Sequence, residues 1–161
     1  MIIDAPKRVT HSYVQTIEGT PEEIFPLYCP VKETLWCEGW DPVAVYSGSG
    51  VVEPDCVFTT EENGIESAWY VTVYDFEQGQ VEMVKHTPGV TILKLIIKIE
   101  PVSGKKTRAT ISYGLTSLGR SGDEVLKAFT KESYDRDMAA WETAMNHYLK
   151  TGEMLTGLPK F

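Results

Sequence analysis

Alternating apolar and polar residues predict a series of β-strands along most of the chain. The first strand is predicted at residues 9–18, and seven more at VAVYS, GVVEP, DCVFTTEE, SAWYVTVYDF, QVEMVKHTP, VTILKLIIKIEP and TRATISYGLTSL. The intervening ENG, EQG, PG and SGK segments are typical of hairpin turns. Short turns between successive strands indicate an antiparallel meander.

Period-two rows of apolar residues predict which face of each strand points to the core. The rows are Trp69, Val71 and Val73; Leu93, Leu95, Ile97 and Ile99; and Ala109, Ile111 and Tyr113. For residues 81–87 the pattern leaves two registers open, one with Val81 and Met83 inward and one with Val84 and His86 inward.

Helical signals stand near the two ends of the chain. A capping box of Thr20 and Glu23 precedes a short helix predicted at 21–28, and Pro30 opens a second one predicted at 30–37. One long helix is predicted between a capping box of Ser121 and Glu124 and a C-terminal Gly152. Its apolar stripe consists of Leu126, Phe129, Tyr134, Met138, Trp141, Met145, Tyr148 and Leu149.

This order of elements predicts a single α+β domain over residues 1–161. A curved antiparallel sheet would wrap around the long C-terminal helix, and the two short helices would close one end. Because one rod cannot fill a wide curved sheet, we expect a cavity between the sheet and the helix.

Three segments carry a resemblance to a known family: IEGTPEEIFPLY, the closing ISYGLTSLG with the long helix after it, and CPVKETLWCEGW. They resemble the START/Bet v 1-like (SRPBCC, polyketide cyclase-like) superfamily, and the third is similar to an uncharacterised prokaryotic branch of it. The resemblance implies the helix-grip fold and a cavity for apolar or amphipathic ligands such as lipids, sterols and polyketides. Family members include aromatase/cyclases, transporters and activators of a chaperone ATPase. No catalytic motif is common to them, so the resemblance assigns no catalytic residue.

The composition of the chain limits the kinds of partner that we expect it to bind. The net charge is −8 with a pI near 4.9, and the basic residues are scattered, which argues against nucleic acid and anionic membranes. No apolar run approaches the ~20 residues of a membrane helix. With three cysteines, no CxxC and no signal peptide, we expect a cytoplasmic protein. Cys29 and Cys37 lack zinc-site spacing, so we expect buried free thiols, no metal and no cofactor.

The candidate ligand-binding residues are those that the predicted elements direct toward the cavity: Tyr28, Glu33, Trp36, Trp40, Phe58, Trp69, Val71, Leu95, Ile97, Ile111, Tyr113, Met138, Trp141 and Met145. Plain core packing is the alternative for the aromatic and aliphatic members of this set. For Glu33, the alternatives are a buried acid with a raised pKa and a solvated residue, or one paired with Lys32 or Arg108.

Three functions stay open. The preferred one is binding of a hydrophobic or amphipathic small molecule or lipid by a monomer or homodimer, without catalysis. The second is a cyclase- or hydrolase-type enzyme that uses Glu33 or His147 as a general acid or base. The third is an interaction module that regulates a partner protein.

Overall fold

The predicted meander is present in the structure, a computed structural model that describes residues 1, 3 and 5–158. One antiparallel sheet has the strand order β1-β7-β6-β5-β4-β3-β2. The strands are β1 (Arg8–Ile17), β2 (Ala44–Tyr46), β3 (Val57–Glu62), β4 (Ile65–Asp75), β5 (Gln80–Thr87), β6 (Thr91–Pro101) and β7 (Thr107–Ser117). From β3 to β7, each strand pairs with the next along the chain, as the short turns predict.

Strand register places the predicted rows on one face. Ile97 stands opposite Ile111, and Leu95 stands opposite Tyr113. Of the two registers predicted for residues 81–87, the structure has the one with Val81 inward, because Val81 is fully buried whereas His86 is exposed. Val81 and Met83 therefore form the inward row of β5.

The inward row of β4 differs from its prediction beyond Val71. Trp69 and Val71 are buried, but the register shifts between Val71 and Val73. After this irregularity Tyr74, not Val73, stands opposite the buried Val81. A bulge sets two residues against one and changes the face that follows, which is why simple alternation assigns Val73 wrongly.

The strand predicted at GVVEP is absent, and β2 pairs directly with β3. Residues 50–55 follow an irregular path, with φ values of 76° at Gly50 and 67° at Asp55. Val52 is buried, and its N–H donates to the Cys29 sulfur at 3.3 Å. A side-chain sulfur therefore takes the place of a ladder partner here.

The short helices are shorter than predicted. They are α1 (Pro21–Ile24), which continues as a 3₁₀ turn (Phe25–Leu27), and α2 (Pro30–Glu33). The Thr20 N–H donates to the Glu23 carboxylate at 2.8 Å, as the capping box requires. Beyond α2, the N–H of Cys37 donates to the Glu33 carbonyl at 2.8 Å, and the chain continues in turns.

The predicted single long helix is two helices, α3 (Arg120–Ala128) and α4 (Lys131–Thr151). Gly119, not Ser121, is the N-cap of α3, and Thr130 caps α4 by accepting the Ser133 N–H at 3.1 Å. Gly152 ends α4 at φ 75°, as predicted. The stripe of apolar residues runs through the break, so periodicity alone cannot detect it.

Polar contacts attach α4 to the edge strand β1. Gln15 donates to the Met138 carbonyl at 2.8 Å, and the Thr16 N–H donates to Glu142 at 2.9 Å. Asn146 donates to the Thr16 carbonyl at 3.1 Å. The helix is thus held at one side of the sheet. Among the described residues, no helix has the length and apolar character needed to span a bilayer.

We expect Thr130→Ala to lower the free energy of unfolding by about 1 kcal/mol, because α4 loses the side-chain oxygen that caps it. Ser121→Ala is the matched control and should change stability by less than about 0.5 kcal/mol, since Ser121 is exposed and caps no helix. Urea unfolding of both variants measures the difference. Equal losses of unfolding free energy in Thr130→Ala and Ser121→Ala would contradict a helix break at Thr130.

Candidate ligand-binding site

A cavity of ≈290 Å³ lies between the sheet and α4. The sheet contributes Glu62, Trp69, Lys85, Leu93 and Tyr113 to its wall. The helical side contributes Phe129, Tyr134, Asp137, Met138 and Trp141, and the segment after α2 contributes Cys37, Glu38, Gly39 and Trp40. The sheet and α4 therefore both line this cavity, whereas the short helices contribute to it only through the segment that follows α2.

A smaller space of ≈20 Å³ adjoins the cavity and shares Trp40, Trp69, Tyr113 and Trp141 with it. We call it the inner chamber. Its other walls are Pro30, Glu33, Phe58, Met83 and Leu95. The volume is about that of one water-sized group, so the inner chamber is a narrow apolar end to the main cavity with one carboxyl group in its wall.

The segment from Leu27 to Trp40 is held by its own tryptophans. The Trp36 indole N–H donates to the Leu27 carbonyl at 3.0 Å, and the Trp40 indole N–H donates to the Pro30 carbonyl at 2.8 Å. Pro30 is preset for the first position of α2. These bonds satisfy the polar edges of both indoles within the segment, so the ring faces are available for packing.

Glu33 faces the inside of the protein. Its exposed fraction is 6%, and no described group donates a hydrogen bond to its carboxylate. Neither Lys32 nor Arg108 pairs with it, and Arg108 lies instead 3.9 Å from Glu100. Both the solvated and the paired alternatives for Glu33 are therefore wrong. Burial raises its pKa to about 8, because the charged form loses its hydration.

The tyrosines near Glu33 bond elsewhere. Tyr28 donates to Gln15 at 3.2 Å, and Tyr74 donates to the Phe25 carbonyl at 3.4 Å. Burial is the main cause of the raised pKa of Tyr113, with smaller contributions from Tyr134 and Glu33. The phenols are therefore neutral at physiological pH.

Aromatic rings form a fixed wall around the junction of the two spaces. Phe58 and Trp69 stack with ring centroids 5.3 Å apart, and Trp40 meets both rings edge-on at 6.1 and 6.2 Å. The Trp69 indole N–H donates to Thr60 at 3.0 Å. Trp141 on α4 meets Trp36 edge-on at 5.6 Å. Such contacts hold large rings in defined positions.

Four charged residues line the main cavity, and we call this set the rim: Glu38, Glu62, Lys85 and Asp137. The Lys85 ammonium lies 3.5 Å from Glu62 and 5.3 Å from the centre of the Trp69 ring. Glu38 accepts the Gly157 N–H at 2.7 Å. The rim thus carries three carboxylates and one ammonium group.

The predicted ligand-binding residues fall into two groups. Trp40, Trp69, Tyr113, Met138 and Trp141 line the main cavity, and Glu33, Phe58 and Leu95 line the inner chamber. The rest are buried core residues that line neither space: Tyr28, Trp36, Val71, Ile97, Ile111 and Met145. Ligand contact by either group stays a prediction.

Sequence reasoning did not select the rim residues, Phe129 or Tyr134 for the site. For Lys85 a signal exists: it continues the inward row of Val81 and Met83 once that register is chosen. Phe129 and Tyr134 belong to the apolar stripe, but the break at Thr130 decides that Phe129 lines the cavity. His147, the other candidate general base, lines neither space.

The three cysteines of the chain lie in the protein interior. Cys29, Cys37 and Cys56 are free and buried. Burial, and then the nearby Glu33, raises the pKa of Cys37 to about 12, so its thiol is protonated. Across residues 1, 3 and 5–158, no three His, Cys, Asp or Glu side chains are grouped as metal ligands.

Comparison with known proteins supports the fold. No protein-family model and no curated protein sequence matches the chain. Among solved structures, norcoclaurine synthase from Thalictrum flavum superposes with a TM-score of 0.65 at 11% identity, covering 91% of this chain and 88% of that one. A Staphylococcus aureus protein of unknown function gives 0.62 at 14% identity, covering 91% and 96%. The protein Ara h 8.0201 gives 0.59 at 12% identity, covering 90% and 99%. The chain therefore has the START/Bet v 1-like helix-grip fold, as the resemblance implies.

We expect Glu33→Gln to stabilise the protein increasingly as the pH rises. An unfolded glutamate ionises near pH ~4.3, whereas folded Glu33 ionises near pH 8. The protonated Glu33 side chain makes its full contribution to stability below pH ~4.3, and this contribution is lost as the pH rises toward 8. Glutamine cannot ionise, so its advantage over the wild type should reach on the order of 2–4 kcal/mol by pH 8.

Urea unfolding at pH 5, 7 and 8 measures this gap. Glu77→Gln is the control, because it makes the same chemical change in an exposed turn between β4 and β5. A gap for Glu33→Gln that does not change with pH would contradict the buried neutral carboxyl group.

Proposed function

We propose that this protein binds a hydrophobic or amphipathic small molecule in the cavity between the sheet and α4. The observation that carries the proposal is a cavity of ≈290 Å³ with tryptophan, tyrosine, leucine and methionine in its walls. Binding sites for small molecules are concave and mostly apolar, with a few polar groups that orient the ligand. The contacts would come from Trp40, Trp69, Tyr113, Met138 and Trp141.

The cavity volume favours a compact ligand. Pockets for drug-sized molecules usually measure about 300–1,000 Å³, so this cavity of ≈290 Å³ is just below that range. A ring system with a short chain fits these dimensions better than a lipid with two acyl chains.

The three free cysteines agree with the cytoplasmic location predicted for the protein.

Glu33 favours an enzyme as the second candidate function. A general acid or base works best when its pKa is near the operating pH, and the pKa of Glu33 is about 8. Norcoclaurine synthase, which shares the fold, is named for a synthase activity and has a structure with dopamine and hydroxybenzaldehyde. If the wild type converts a bound molecule, and the Glu33→Gln variant still binds that molecule but no longer converts it, this protein is an enzyme of the cyclase or hydrolase type.

Cavity filling tests the binding proposal. Leu93 on β6 lines the main cavity, whereas its neighbour Ile92 lies on the opposite face of the sheet. We expect Leu93→Trp to weaken binding of the neutral dye N-phenyl-1-naphthylamine by at least about tenfold, equivalent to about 1.4 kcal/mol. Ile92→Trp should bind like the wild type. Fluorescence titration measures all three affinities.

Equal affinities for the two tryptophan variants would place dye binding outside the cavity. Native mass spectrometry of freshly purified protein, followed by organic extraction, would identify any molecule carried from the cell. A protein that arrives without one and ignores neutral apolar dyes would disprove the binding proposal and leave the interaction module as the function to test.

A further inference from the structure

We infer that the ligand is a hydrophobic amine, and that its ammonium group enters the inner chamber and pairs with Glu33. The inference rests on the proposed binding function and adds the chemical class of the ligand.

Glu33 has no ion-pair partner in the wall of the inner chamber. Glu33 is the only ionisable carboxyl group in its wall, and the remaining wall consists of proline, methionine, leucine and aromatic residues. A buried carboxylate without a partner costs several kcal/mol. None of the groups described in the structure donates to it. A ligand that supplies a positive charge and hydrogen-bond donors at this position would complete the ion pair.

The size of the inner chamber selects the head group. Its ≈20 Å³ receives a group about as large as one water molecule. A primary ammonium group meets that limit and has three donors. A ligand carboxylate or phosphate is larger and would put a second negative charge beside Glu33.

The aromatic wall also favours a cation. Five aromatic residues line the inner chamber: Trp40, Phe58, Trp69, Tyr113 and Trp141. The faces of aromatic rings attract cations within about 6 Å of the centroid. Trp69 already has such a contact, because the Lys85 ammonium lies 5.3 Å from its ring centre.

The charged residues that line the main cavity are mostly negative. The rim has Glu38, Glu62 and Asp137 against the single Lys85, and the whole chain has a net charge of −8. Such a field raises the local concentration of cations and lowers that of anions. Amines would therefore be attracted to the rim, and fatty acids and other carboxylates would be repelled.

Binding of an amine should release up to one proton. The ionisable groups that face Glu33 are Tyr28 and Cys37 on its own segment, Tyr74 on β4 and Tyr113 on β7. Burial raises the pKa of each of these groups, so all of them are neutral near pH 7. β3, β5 and β6 contribute only Phe58, Met83 and Leu95 to the inner chamber, and α4 contributes Trp141.

Glu33 is thus the group that titrates there. Near pH 7 it carries a proton, and pairing with an ammonium ion displaces this proton to the solvent. The affinity for an amine should therefore rise by up to about tenfold per pH unit below pH 8 and level off above it.

Three probes with one ring system test the inference: 2-naphthylethylamine, 2-naphthylethanol and 2-naphthylacetate. Isothermal titration calorimetry at pH 6, 7 and 8, in two buffers with different ionisation enthalpies, gives affinities and the number of protons released. For the wild type at pH 8, we expect the amine to bind at least about tenfold more tightly than the alcohol, and the acetate more weakly than either. Only the amine should release protons.

The Glu33→Gln variant should show no preference for the amine and should release no protons. Its affinity for the alcohol should equal that of the wild type. Glu77→Gln, with the same change in an exposed turn, should behave like the wild type. Thermal unfolding checks that both variants are folded, and Glu33→Leu repeats the test with a side chain that cannot hydrogen-bond.

The outcomes separate the two proposals. Binding of the alcohol without preference for the amine, or a preference that survives Glu33→Gln, would overturn the inference and leave apolar binding intact. Failure of all three probes and of the neutral dye would overturn the proposed function together with the inference.

Discussion

The attachment of α4 to β1 is the constraint on which the rest of the structure depends. Gln15, Glu142 and Asn146 form hydrogen bonds between this edge strand and the helix. Tyr134 adds a bond to the Ile111 carbonyl on β7 at 2.7 Å. A helix held at one edge of a seven-stranded sheet cannot cover the other edge. The space over β4, β5 and β6 is filled in part by Trp36 and Trp40 from the segment after α2, and the unfilled remainder is the cavity.

The break between α3 and α4 shapes the cavity. The Phe129 carbonyl is 3.0 Å from the His11 imidazole, and the Phe129 ring packs against His11 and Tyr134 at 4.8 and 5.6 Å. α3 is fixed separately, because a β-carbon on Gly122 would lie 2.0 Å from the Val90 carbonyl. Each helix therefore docks on its own part of the sheet, and the corner between them places Phe129 in the cavity wall.

Local patterns predict most of the fold because the sheet follows local rules. The strand patterns identify β1–β7, and the caps at Thr20 and Gly152 stand where the sequence predicts them. The patterns fail at the β4 irregularity near Val73, at the local cap of Thr130, and at GVVEP, where Val52 bonds to Cys29 and no strand forms. For the site, aromatic content predicts the wall, but it cannot predict which rings adjoin an empty space, since packing gaps depend on how the helix docks.

Glu33 shows why the chemistry of a site is harder to predict than its walls. In sequence it is an ordinary helical glutamate with a lysine beside it, and the structure buries it among rings without a partner. Such a residue destabilises the fold as the pH rises, so packing does not account for it. A leucine there would complete the apolar end of the cavity at no electrostatic cost. Departures from local rules concentrate at functional sites, and a carboxyl group in the wall of a small, mostly apolar space is suited to orient a ligand rather than to hold the protein together.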